Sequence, residues 1–229
     1  MRKASVRMGA LVLVGLSVAA AINAGGCAST RVAMWETLGY AKREQLVEGV
    51  KGARDQQETT KKQFQSALDE FLAVTGSGQD PSIAELEAKY KRLQSQYERS
   101  EKEAQRVRDK VTRVEEVADL LFAEWQRELK DYSSDQMRQA SQRELEATQA
   151  KYATLLAALK SASGKMDPVL AAFKDQVLFL KHNLNARAIA SLQGTASQIQ
   201  GDVQRLIGEM EKSIAEANAF IKQMGDQPK

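Results

Sequence analysis

Apolar residues recur along most of this chain in alternating steps of three and four. From Leu46 the series runs Val50, Ala53, Gln57, Thr60, Phe64, Ala67, Phe71 and Val74. That spacing holds one stripe on one face of an α-helix, the seam of a coiled-coil-like packing. It predicts a first helix over about 33–74. Gln57 and Thr60 read as a tolerated polar layer, with register fixing or a partner contact as the alternatives. Thr75-Gly76-Ser77-Gly78-Gln79 predicts a tight reversal. Asp80 then reads as an N-cap and Pro81 as the first residue of the next helix.

The second seam passes through Leu86, Tyr90, Leu93, Tyr97, Ser100, Ala104, Val107, Val111, Val114, Ala118, Leu121 and Trp125. It predicts a helix over 81–132, a rod of roughly 78 Å at 1.5 Å per residue. Glu128 falls where the next apolar residue belongs, with Leu129 beside it. Ser133 and Gln136 fit a capping box after a break. A third seam, Ser141 through Leu145, Thr148, Tyr152, Leu155, Leu159, Ala162 and Met166, predicts a helix over 134–163. Ser163-Gly164 followed by Asp167-Pro168 repeats the punctuation of the first reversal, so a second one is expected at 164–167.

The last helix is expected over 168–224. Its first part carries Val169, Phe173, Val177, Leu180 and Leu184; its second carries Ile189, Leu192, Ala196, Ile199, Val203, Leu206, Met210, Ser213, Ala217, Phe220 and Met224. These two stripes are out of phase. Something near 181–188 resets them: a kink, a bulge or a change of packing partner. The fold class is all-α, an elongated antiparallel bundle of three or four helices with coiled-coil-like seams. The expected lengths clash, because 134–163 is much shorter than 168–224. Either the last helix breaks at 181–188, or its tail packs mainly on the first two helices and leaves seam exposed for another copy.

The N-terminus changes the picture from shape to location. Arg2, Lys3 and Arg7 precede an apolar run of roughly 14 residues, short of the roughly 20 that span a bilayer. Ala24-Gly25-Gly26 then lead to Cys27, the only cysteine. This resembles a bacterial lipoprotein signal: residues 1–26 a signal peptide, Cys27 the lipidated residue, 27–33 a tether, 34–224 the bundle and 225–229 a frayed polar tail. Ala28 after the cysteine resembles the class sorted to the periplasmic face of the outer membrane. Removing 1–26 also removes Arg2, Lys3 and Arg7, so the 33 basic and 30 acidic residues behind the net charge of +3 fall to a balance of zero. A neutral chain with both signs interspersed gives no reason to expect nucleic acid as a partner.

One stretch stands out chemically. Lys181, His182, Asn183, Asn185 and Arg187 crowd beside the phase change. They read as helix-break capping or interhelical hydrogen bonding, or as a patch that binds a partner. The chain has a single His and no glycine-rich phosphate loop or nucleophile elbow, so neither enzyme activity, metal nor cofactor is expected.

Two passages carry a family likeness. One is Leu38-Gly39-Tyr40, Lys42-Arg43, Val50, Ala53-Arg54-Asp55, Gln57 and Phe64. The other is Val177-Leu178-Phe179-Leu180-Lys181-His182-Asn183-Leu184-Asn185-Ala186, with Ala188-Ile189 and Leu192. Together they resemble the domain-of-unknown-function 2959 family (DUF2959) of predicted bacterial exported proteins or lipoproteins, over about 33–224. The resemblance implies a helical, coiled-coil-like protein and brings no activity with it. The expectation is a cell-envelope protein held to the membrane by lipid on Cys27, with a structural or scaffolding role and an envelope protein or a second copy as partner. The alternative is a binding module that holds a protein partner or an apolar, lipid-like ligand between helices near 177–192.

Overall fold

The nine seam residues from Leu46 to Val74 are all buried, Gln57 and Thr60 included, and form the inner face of α1 (Cys27–Thr75). The computed structural model describes residues 27–76, 82–183 and 185–225, with side chains from Lys42 onward except Ala186. The helices that follow are α2 (Ile83–Glu128), α3 (Asp135–Gly164), α4 (Met166–His182) and α5 (Ala186–Gly225). No strand occurs among the described residues. Residues 1–36 and 37–229 separate as two units. The described part of the first, from Cys27, is helical. The expected tether over 27–33 is therefore already helix, since no glycine or proline stands between Ala28 and Leu38 to stop it. The second unit is an elongated all-α bundle.

Local chemistry sets where α2 and α3 begin. Asp80 and Pro81 lie outside the described residues, and Ser82, not Asp80, is the N-cap of α2. Its hydroxyl accepts from the Glu85 N–H, while the Glu85 carboxylate accepts from the Ser82 N–H at 2.8 Å. This capping box holds the Glu85 carboxyl below its ordinary range. At the other end α2 stops at Glu128 and tightens into a 3-10 turn, Leu129–Asp131. The tightening brings Leu129 into the core in place of the half-exposed Glu128. Ser134, rather than Ser133, then caps α3 by accepting from the Met137 N–H.

The reversal expected at 164–167 is absent. Lys165 alone separates α3 from α4, in the right-handed helical region (φ −77, ψ −8), and its N–H still donates to the Ser161 carbonyl at 3.1 Å. Pro168 has no N–H to give the Gly164 carbonyl, and its ring crowds that oxygen, so the helix adjusts at Lys165 and continues. Packing fixes the direction. Going up α3 and α4, Tyr152 meets Phe220, Ser161 meets Glu209 and Gln176 meets Thr195, so the α5 partners descend by nearly matching steps across the junction. On the other side Tyr152 packs on Phe122 and Asp167 pairs with Arg108. The two helices thus form one rod, antiparallel to both α2 and α5.

The single helix expected over 168–224 is correspondingly two helices, with the reversal at 183–185. α1 lies beside α2, where Gln56 meets Glu103 at 2.6 Å and Glu70 meets Arg92 at 2.8 Å. It lies beside α5, where Arg54 meets Asn218 at 3.0 Å and the Gln193 amide donates to the Thr75 carbonyl at 2.7 Å. Phe71 and Phe173 meet edge to face across the interior, ring centroids 6.3 Å apart. Within the second unit the described residues thus form four rods of similar length around one core, which removes the clash between the lengths expected for 134–163 and 168–224.

Candidate functional site at the α4–α5 reversal

The reversal is made by two asparagines. The Asn183 amide donates to the Phe179 carbonyl at 3.0 Å, satisfying one of the last orphan acceptors of α4. Asn183 sits at φ −135, ψ 65, outside the helical region. The Asn185 N–H donates to the Asn183 carbonyl, and the Asn185 side chain accepts from the Ala188 N–H at 3.1 Å, the N-cap geometry for α5. So Asn183 closes one helix and Asn185 opens the next. The apolar stripe restarts in a new phase because the chain has changed rods.

Lys181, His182 and Arg187 surround this turn and are exposed. None of the three forms an ion pair among the described residues. Leu178 and Phe179 lie one turn back on α4, 44% and 38% exposed, while their neighbours Val177 and Leu180 are buried. The structure thus gathers all five polar residues of the sequence-derived patch at one end of the bundle and adds two exposed apolar residues to them. Both adjoin seam positions, which is the signal available for them: consecutive apolar residues exceed what one stripe can bury.

Near 177–192 the described side chains of Val177, Leu180, Ala188, Ile189 and Leu192 are all buried. A cleft of about 490 Å³ lies elsewhere, between α3 and α5, lined by Lys151, Thr154, Glu216, Phe220 and Lys222. Beneath it Tyr152 packs between Phe122 and Phe220, and burial pushes its hydroxyl's pKa up. At the end of the bundle away from the reversal, Lys42 and the buried Glu124 pair at 2.5 Å, and Arg43 stacks over Trp125, whose indole N–H donates to Ser141. Next to them burial and the Glu124 charge raise the Glu128 carboxyl. Where α3 meets α4, Lys165 and Lys212 clamp Glu209 and hold its carboxyl down at about 2. The Lys42–Glu124 and Lys165–Glu209 pairs tie neighbouring rods together. Among the described residues no group of three or more His, Cys, Asp or Glu side chains is placed to hold a metal ion, and no helix is long and apolar enough to cross a membrane.

A family model described as a protein of unknown function (DUF2959) matches residues 32–224, a span that takes in nearly all of the bundle. The chain belongs to the DUF2959 family. No curated protein matches it, and no solved structure does. In this DUF2959 chain the α4–α5 reversal lies well inside the matched span.

Proposed function

We propose that this chain is a lipid-anchored protein of the bacterial cell envelope that acts through helical contacts and carries no reaction of its own. The observation that carries the interaction role is the bundle end at 178–187. Exposed Leu178 and Phe179 stand there beside Lys181, His182 and Arg187, which have no carboxylate partner among the described residues. The helix ends capped by Asn183 and Asn185 present them. Apolar surface flanked by the Lys181 and Arg187 cations suits an acidic, partly apolar protein surface. The location rests on the sequence: a basic start, a short apolar run and small residues before Cys27. A single acyl chain binds membranes only reversibly, so a diacylglycerol on the Cys27 thiol supplies the firm attachment this role needs.

Metabolic labelling with a palmitate analogue tests the anchor. The expected result is a labelled chain in the membrane fraction and no label in Cys27→Ser; equal labelling of both would refute it. A photo-crosslinking residue at Phe179, compared with one at the exposed Leu120 on α2, tests the contact end. Adducts confined to position 179 and lost in Lys181→Glu/Arg187→Glu are expected. Equal adducts at both positions would return the patch to a capping role alone.

A further inference from the structure

Gln57 stands in the inner stripe of α1 with no exposed surface, and neither its amide nitrogen nor its amide oxygen has a protein partner. Ser213, in the inner stripe of α5, is likewise fully buried with its hydroxyl unpartnered. Two contacts between α1 and α5 bracket this pair: Arg54 with Asn218, and Lys61 with Glu211. Gln57 and Ser213 therefore occupy the same cross-section of the bundle. Buried hydroxyls on neighbouring turns behave otherwise. Thr60 donates to the Gln56 carbonyl one turn back at 2.8 Å, and Ser100 donates to the Gln96 carbonyl at 2.9 Å. Ser213 makes no such bond, which leaves its hydroxyl for the interior.

Ala53 and Ala217, one turn away on the same two stripes, and Ala104 on α2 are fully buried, and Leu155 and Leu159 stand at this level on α3. A Leu or Met at position 57 would fill much the same volume with no polar atoms to desolvate. In folded proteins a buried amide with both its donor and its acceptor free of protein partners is as a rule paired by ordered water. A water needs two to four polar partners and room for one probe-sized sphere. The Gln57 amide offers two donors and an acceptor, and Ser213 offers one of each.

We propose that this layer is an internal water site, in which an ordered water accepts from the Gln57 amide and donates to the Ser213 hydroxyl, joining α1 to α5. The bridge also fixes register. Sliding α1 by one heptad along α5 would set Gln57 against Leu206 or Phe220, where no polar group could complete the water's bonds.

A double-mutant cycle on the full chain tests this, with Gln57→Leu, Ser213→Ala and the combined variant followed by thermal melting. Each single substitution strands the other group together with its water. Each should lower the midpoint by about 2–4 °C, and the combined variant should recover most of that loss. Additive effects, in either direction, would overturn the proposal. Water-to-protein NOE measurements on the unsubstituted chain give a second reading. A cross-peak from a long-lived water to the Gln57 side-chain amide is expected, and its absence would also overturn the proposal.

Discussion

Replacing Gly164 by alanine tests the path of the chain between α3 and α4. Gly164 is the last residue of α3; a Cβ built on it meets nothing within 4 Å, and its φ is not in the left-handed region. Lys165 after it keeps helical dihedrals (φ −77, ψ −8). If the rod continues through this point, alanine lowers the entropy of the unfolded chain and adds helix propensity at no steric cost. The gain is about 0.5–1 kcal/mol. If the chain instead reversed at 164–167, the glycine would close the helix in the left-handed region, and a Cβ there costs roughly 1–2 kcal/mol. The two paths therefore predict opposite signs. A urea melt followed by helical circular dichroism reads the difference. With a slope of about 2.5 kcal/mol per molar urea, the continuous rod predicts a midpoint raised by about 0.2–0.4 M. Gly208→Ala, inside α5 and also with nothing within 4 Å of the added Cβ, is the matched control and should rise by a similar amount. A fall for Gly164→Ala with an unchanged slope, beside a rise for Gly208→Ala, would refute the continuous rod.

Three further outcomes follow from particular contacts. Asn185→Ala removes the side-chain acceptor of the Ala188 N–H and should destabilise the bundle by about 1 kcal/mol, while Asn185→Asp keeps an acceptor and loses little; equal losses in chemical melts would deny the cap. Phe173→Ala opens a hole against Phe71 in the fully buried interior and should cost about 3–5 kcal/mol; a loss below about 1 kcal/mol would mean that the two rings do not pack. The Glu209 carboxyl is held at about 2, below its ordinary 4.5, chiefly by hydrogen bonds from Lys165 and Lys212. Its contribution to stability is therefore present above 4.5 and fades as the pH falls toward 2. Carboxyl NMR titration should show the low value in the unsubstituted chain and a rise in Lys165→Ala. An ordinary value in both would remove the contact that joins the α3–α4 kink to α5.

The helices, their buried faces and the all-α class were legible because the three-and-four spacing extends over whole rods, and local exceptions average out. The misplaced reversal has a specific cause. Ser163-Gly164 and Asp167-Pro168 are local punctuation, and local punctuation does not tell a kink from a turn. Phase does. From Leu145 through Tyr152, Leu159, Met166, Phe173 and Leu180 the buried stripe keeps its steps of three and four across both Gly164 and Pro168. Among the described residues the next buried positions, Ala188 and Ile189, belong to α5, beyond the end of the rod at His182. A kink inserts no residues and keeps the same face toward the same neighbours, so the stripe survives it. A reversal places the next helix against different neighbours, and nothing ties its phase to the last. Where the two signals conflict, phase carries more weight, since it integrates packing over the length of a rod. The same reasoning explains what stayed hidden. The capping work of Asn183 and Asn185 depends on residues within four positions and was readable as such. The meeting of Gln57 with Ser213 depends on how α1 slides along α5, across two other rods of intervening chain. The stripe of each helix fixes which residues face inward, and only the assembled bundle fixes which of them meet.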